Sequence, residues 1–308
     1  MSLRHLSLTV FGLLVVVVLA EFGLRAIEED LPVLSDWPTI ETEIKSAQLA
    51  EMGEIPSLLI VGSSSSEAAV DPAQLVAMGA AAEAYNSAFP FFSPAATEVW
   101  LNEHIDPWGD VELLLVGLPA WPPPTDPADD PLTGGLASLS ADDGSGHPLD
   151  HLALWRVRGV LADIEEAVQR DKSQSNQLWT ELGHQTFYYG RTGETLAGVF
   201  PPYGTPAMDR THSDALRRIV EEAQRSGATP VIILEPGRFP DPVAEQTVAE
   251  YIEWLQTFAA ELGVELWDTY SLDWDDGFYA DEAHFNEAGT AAYTRYLGEL
   301  IMDFTAGS

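Results

Sequence analysis

Two short stretches at opposite ends of the chain carry side chains that can do chemistry together. The first, "LLIVGSSSSEAAVDP" (58–72), runs four aliphatic residues into a glycine and then four serines, Ser63 to Ser66. A serine hydroxyl is a poor nucleophile until a base removes its proton, and that base is commonly a histidine oriented by a carboxylate. The histidines are His5, His104, His147, His151, His184, His212 and His284. His284 stands in the setting that suggests catalysis: "GFYADEAHFNEAGT" places Asp281 three residues before it and Asn286 two residues after it. Asn286 is a good N-cap for a terminal helix, and a capped loop holds a catalytic base still. Asp268, the alternative acid, reads as a turn residue. His184 and His212 read as surface histidines of an inserted region near the substrate.

Both stretches need a scaffold that brings them together. Five aliphatic segments supply it: "SLLIVG" (57–62), "AEAYNSAF" (82–89), "VELLLVGLP" (111–119), "TPVIILEPG" (229–237) and "GVELWD" (263–268). Three are near-continuous aliphatic runs, the pattern of strands covered on both faces. Helical patterns separate them. One places Val248, Tyr251 or Ile252, Leu255, Phe258 and Ala259, and Leu262 on a single stripe; the terminal one runs Tyr293, Leu297, Leu300 or Ile301, and Phe304. The alternation predicts an α/β fold with a doubly wound, parallel, five-stranded sheet. Ser63–Ser66 follow the first strand and Asp281 with His284 follow the last, so both fall at the carboxyl edge where such sheets carry their sites. Residues 119–210 begin with a Pro-, Gly- and Asp-rich stretch and are expected to form an inserted loop and cap over that edge.

Composition narrows the partners. Forty-nine acidic against 14 basic residues give a net charge of −35. That field repels nucleic acids and anionic headgroups, and because the acids are spread along the chain they read as a solvated surface suited to high salt. The absence of cysteine excludes disulfides, thiolate metal sites and a cysteine nucleophile. Neither a histidine and carboxylate cluster with metal-ligand spacing nor a glycine-rich phosphate loop occurs, so no metal and no cofactor are expected. At the amino terminus, Arg4 and His5 precede an apolar run from Leu8 to Ala20 that extends to membrane-spanning length at Ile27. The expectation is an uncleaved membrane anchor over 1–27, with the bulk of the chain outside the cytoplasm. A cleaved signal, with Val18 and Ala20 flanking the cut, is the alternative. Residues 28–55 then read as a connector and 56–308 as the α/β domain.

The elbow and the terminal block together resemble the SGNH, or GDSL-like, hydrolase superfamily. The likeness is greatest to its membrane-anchored branch associated with acylation of surface polysaccharides. Gly62-Ser63-Ser64 matches the Gly-x-Ser that ends the first strand, which implies Ser64 as nucleophile and a flavodoxin-like SGNH fold. Asp281 and His284 match the terminal Asp-x-x-His. "AYNSAFPFFSP" resembles the second block, and "ELLLVGLPAW" occupies the place of the third. The resemblance implies an esterase or O-acyltransferase acting on small, acetyl-like esters of surface carbohydrate. Two departures bear on the oxyanion hole. Phe91 of "FPFFS" stands where the family offers a glycine N–H, and "VGLPAW" lacks the usual asparagine donor. The Ser64 N–H remains, and Asn86 is a substitute donor, although holding the strand-end turn suits it better. Losing one oxyanion donor costs about 3–4 kcal/mol of transition-state stabilisation. A non-catalytic, glycan-binding or assembly accessory is the rival reading.

Overall fold

A strand without polar alternation has no face to offer water, and three of the aliphatic segments are of that kind. The computed structural model describes residues 37–90, 93–105, 108, 110–120, 177–180, 182–187, 207–237, 242–281 and 283–307. In chain order the elements are α1 (Trp37–Met52), β1 (Leu58–Val61), α2 (Ser64–Ala69), α3 (Pro72–Met78), β2 (Ala84–Asn86), α4 (Pro94–His104), β3 (Leu113–Leu118), β4 (Gln177–Trp179), β5 (Gln185–Phe187), α5 (Arg210–Ser226), β6 (Thr229–Leu234), α6 (Pro242–Leu262), β7 (Glu265–Asp268), a 3-10 turn (Asp276–Phe278) and α7 (Glu287–Gly307). Five strands pair in parallel in the order β2-β1-β3-β6-β7, with the aliphatic β1, β3 and β6 at the centre. All five expected strands are in this sheet. The hairpin β4–β5, unforeseen within the inserted region, pairs separately and antiparallel.

Side chains of the central strands alternate between two hydrophobic cores. Leu59, Val61, Leu114, Val116, Ile232 and Leu234 pack with Trp100 of α4, Leu216 and Val220 of α5, and Tyr251 and Leu255 of α6. Leu58, Ile60, Leu113, Leu115, Val231 and Ile233 pack on the other face with Leu75 of α3 and with Tyr293, Leu297 and Ile301 of α7. Where the stripes left a choice, Tyr251 rather than Ile252 and Ile301 rather than Leu300 are the buried members. The helices start where the sequence supplies caps. Asp71, Ser93 and Asp209 each accept an N–H of the first turn, with proline next in line after the first two.

The described residues from 41 onward belong to one compact unit; a second, 1–40 with 138–174, lies outside the described residues except for 37–40. The stretch read as a connector contains α1, whose Leu49 and Met52 pack on the first core and whose Lys45 is buried. From about residue 42 the chain is therefore part of the domain. Among the described residues no helix is long and apolar enough to cross a membrane; the apolar run at 8–20 lies outside them.

Candidate active site

The turn after β1 closes over glycine. Gly62 has φ 156°, and a Cβ there would come within 2.3 Å of Ser66 Oγ and 2.9 Å of the Gly117 carbonyl. Ser63 is the N-cap of α2: its Oγ accepts the Ser65 N–H at 3.3 Å and donates to Glu235 Oε2 at 3.1 Å. Ser65 and Ser66 are buried, and within 61–70 Ser64 alone is half-exposed. One serine of the four is presented, and it is Ser64.

The partner loop is built to hold one imidazole. Asp281 Oδ1 accepts the N–H groups of Ala283 and His284 at 2.8 and 2.9 Å, closing the backbone around the carboxylate. Its two oxygens lie 2.9 and 2.8 Å from His284 Nδ1, and His284 Nε2 lies 2.8 Å from Ser64 Oγ. Burial pushes the Asp281 carboxyl up, but the hydrogen bond and charge of His284 and the two N–H groups outweigh it and hold the carboxyl below its ordinary value. With the Nδ1 proton directed at Asp281, the Nε2 lone pair faces the Ser64 hydroxyl. Asn286 caps α7 as expected: Oδ1 accepts the N–H groups of Ala288 and Gly289, while Nδ2 donates to the Gly277 carbonyl at 2.7 Å. Phe285 packs against Tyr279, Trp274 and Tyr293, fixing the chain next to the histidine.

A helix of six residues has little stability of its own, and α2 relies on its neighbours for its carbonyl partners. Asn86 Nδ2 donates to the carbonyls of Ser66 and Val70 at 3.0 and 2.9 Å, and its Oδ1 accepts the Ala88 N–H. Thr290 and Thr294 of α7 donate to the carbonyls of Ala68 and Ala69 at 2.7 and 3.1 Å. The helix that begins with Ser64 is thus bonded directly to the helix that begins beside His284.

Asn86 is consequently corrected as an oxyanion donor. Its side chain is fully buried and both amide hydrogens are engaged, which is the strand-end role. Phe91 lies outside the described residues, as do His5, His147 and His151. His184 and His212 are not surface residues: both are buried, His184 with Nε2 3.3 Å from the Ala68 carbonyl and its pKa lowered mainly by that burial. His104 ends α4 with Nε2 3.1 Å from Ser46 Oγ. Asp268 accepts the N–H and hydroxyl of Ser271 at 3.0 and 2.6 Å, as a turn residue does.

Two buried acids beside the elbow were missed. Glu67 of α2 pairs at 3.1 Å with Lys45, one of the chain's two lysines, whose Nζ also donates to the Ala88 carbonyl. Glu235 follows β6 and bonds Ser63. A signal existed for Glu235: it is a charged residue directly behind an aliphatic strand, at the same sheet edge as the serines. Lys45 had none, because its partner lies 22 residues away in another element.

No family model matches the chain and no curated protein does. Solved structures do resemble it. A Bacteroides fragilis protein provisionally named an acylhydrolase is 12% identical over 88% of this chain and 99% of its own, with a TM-score of 0.46. An acetylxylan esterase from Geobacillus stearothermophilus is 12% identical over 80% of this chain and 94% of its own, with a TM-score of 0.42. A GDSL-like lipase from Bacteroides thetaiotaomicron is 7% identical over 85% of this chain and 98% of its own, with a TM-score of 0.43.

Proposed function

We propose that this protein is an extracytoplasmic serine esterase or O-acyltransferase of SGNH type, acting on small, acetyl-like esters of surface carbohydrate. The observation that carries the reading is the unbroken line of hydrogen bonds from Asp281 through His284 to the one half-exposed serine of the elbow. As Ser64 Oγ attacks the acyl carbonyl, His284 Nε2 takes its proton, and Asp281 steadies the resulting imidazolium. Collapse breaks the bond to the sugar oxygen, which leaves with the proton from Nε2, and the acyl group stays on Ser64. An acceptor hydroxyl then gives its proton to Nε2 and attacks the acyl-serine, and Ser64 leaves with that proton from Nε2. Water as acceptor makes the reaction hydrolysis; a sugar hydroxyl makes it transfer. The Ser64 N–H has no acceptor among the described residues and is available to the carbonyl oxygen. The acyl class and the glycan rest on the family resemblance. The location and the anchor rest on the N-terminal sequence.

The non-catalytic accessory is favoured by one observation: with Asn86 engaged in the elbow, the oxyanion hole is a donor short. Labelling separates the two. Full-length protein in detergent is treated with a fluorophosphonate and assayed on p-nitrophenyl acetate, alongside Ser64→Ala and His284→Ala. An enzyme labels at Ser64 alone, and either substitution lowers turnover by about 10⁴-fold or more. A folded wild type that neither labels nor turns over sinks the esterase, and glycan binding becomes the measurement.

A further inference from the structure

Glu235 stands at the carboxyl end of β6, two strands away from the elbow, yet its carboxyl touches both ends of the Ser63–Ser66 turn. Oε2 accepts from Ser63 Oγ at 3.1 Å, and the Ser66 N–H is close enough to the same carboxyl to favour its charged form. The intervening strand, β3, lets it pass because residue 117 is glycine. A Cβ on Gly117 would come within 1.8 Å of Ser66 Oγ and 2.2 Å of Glu235 Oε1. Only a bare strand position admits this crossing. Ser63 in turn accepts the Ser65 N–H, so Ser64 is the one residue of the turn whose side chain is left pointing outward.

We propose that Glu235 is a positioning residue for Ser64: reaching over Gly117, it ties down both ends of the elbow and so aims the Ser64 hydroxyl at His284. The inference rests on the serine-esterase reading. Glu235 is 2% exposed, and its Oε1 has no hydrogen-bond partner among the described residues. A carboxylate so placed has one oxygen stripped of water and unbonded, so the neutral acid is the form that fits. Burial, opposed by the Ser63 hydrogen bond and the nearby Ser66 N–H, pushes its pKa up to about 8. Among the described residues, the titratable groups it acts on are Tyr251 of α6 and Tyr293 of α7. Both are buried phenols with raised pKa values, neutral over the same range. A negative charge appearing on Glu235 would oppose the charge that develops on the substrate oxygen beside the Ser64 N–H. Working activity therefore requires Glu235 protonated, and it declines as pH rises through about 8.

The test compares wild type, Glu235→Gln and Glu235→Ala by fluorophosphonate labelling rate and by kcat and KM on p-nitrophenyl acetate from pH 5 to 10, with circular dichroism as the folding check. Glutamine copies the neutral acid. Glu235→Gln is expected to stay within about threefold of wild type at pH 7 and to lose the alkaline decline. Glu235→Ala is expected to lower kcat about 10–100-fold at every pH, with KM little changed, the effect of a misplaced nucleophile. An alkaline decline retained in Glu235→Gln, or wild-type kcat in Glu235→Ala, overturns the proposal. If wild type neither labels nor hydrolyses, the esterase reading fails, and a crystal structure of Glu235→Ala decides the positioning role. An elbow still holding Ser64 Oγ at 2.8 Å from His284 Nε2 overturns it; a displaced serine upholds it.

Discussion

Lys45 Nζ of α1 lies 3.1 Å from Glu67 Oε1 of α2, with both side chains closed to solvent. The ammonium also donates to the Ala88 carbonyl and stands over the Phe89 ring. One cation therefore ties the first helix of the domain to the elbow helix and to the end of β2. Removing it leaves a carboxylate inside the protein with its charge uncompensated. Lys45→Met is expected to cost about 3–5 kcal/mol of stability, and Lys45→Met with Glu67→Gln clearly less, because the second change removes the stranded charge. Urea unfolding midpoints of the two variants measure this. Equal midpoints would mean that the pair contributes through packing alone.

Asp281→Asn changes a proton's direction while keeping the loop. The asparagine Oδ1 can still accept the N–H groups of Ala283 and His284, but its amide now donates to His284 Nδ1. The imidazole proton moves to Nε2, which can no longer take one from Ser64. The expected result is a fall in kcat of about 10³–10⁴-fold with KM little changed. A loss of less than tenfold in steady-state kinetics would mean that Asp281 is only a loop fastener.

Stability should also report the charge state of Glu235. Its pKa is raised from 4.5 to about 8, so between these values the folded state holds a proton that the unfolded chain has released. The native protein is most favoured by this group below about 4.5, loses that advantage steadily as pH rises, and levels off above about 8. Glutamine does not titrate. The melting temperature of Glu235→Gln relative to wild type is thus expected to climb from pH 5 to pH 9. Calorimetry at three pH values checks the slope; a difference independent of pH contradicts a buried neutral acid.

Gly117→Ala is the smallest change that should disturb the elbow. Its methyl would collide with Ser66 Oγ and Glu235 Oε1 inside a packed sheet. Overpacking of this kind costs about 1–3 kcal/mol, and relief requires moving either the elbow or the glutamate. The variant is expected to remain folded by circular dichroism yet to label with fluorophosphonate at least about tenfold more slowly. Wild-type labelling would show that the crossing has room to spare.

Much of this architecture was legible in the chain because it depends on local pattern. Unbroken aliphatic runs specify central strands, Gly62 followed by serines specifies a strand-to-helix elbow, and Asp281, His284 and Asn286 sit close enough in sequence to specify a capped loop. Parallel winding then puts the elbow and the loop at one sheet edge. Which serine faces His284 was not local: Ser63 and Ser65 are chemically equal to Ser64 in the sequence, and hydrogen bonds to Glu235 and within the turn tell them apart. Asn86 suited both a strand-end turn and an oxyanion donor, and the carbonyls of α2, which take both of its amide hydrogens, leave only the first. Glu235 and Lys45 reach the elbow only through the strand order β1-β3-β6 and the packing of α1, relationships between elements distant in sequence. The sequence determined the scaffold and the two segments that meet at its edge, since propensity and periodicity act over a few neighbours. Tertiary structure alone decided how those residues are aimed, because aim is set by buried polar partners drawn from across the sheet.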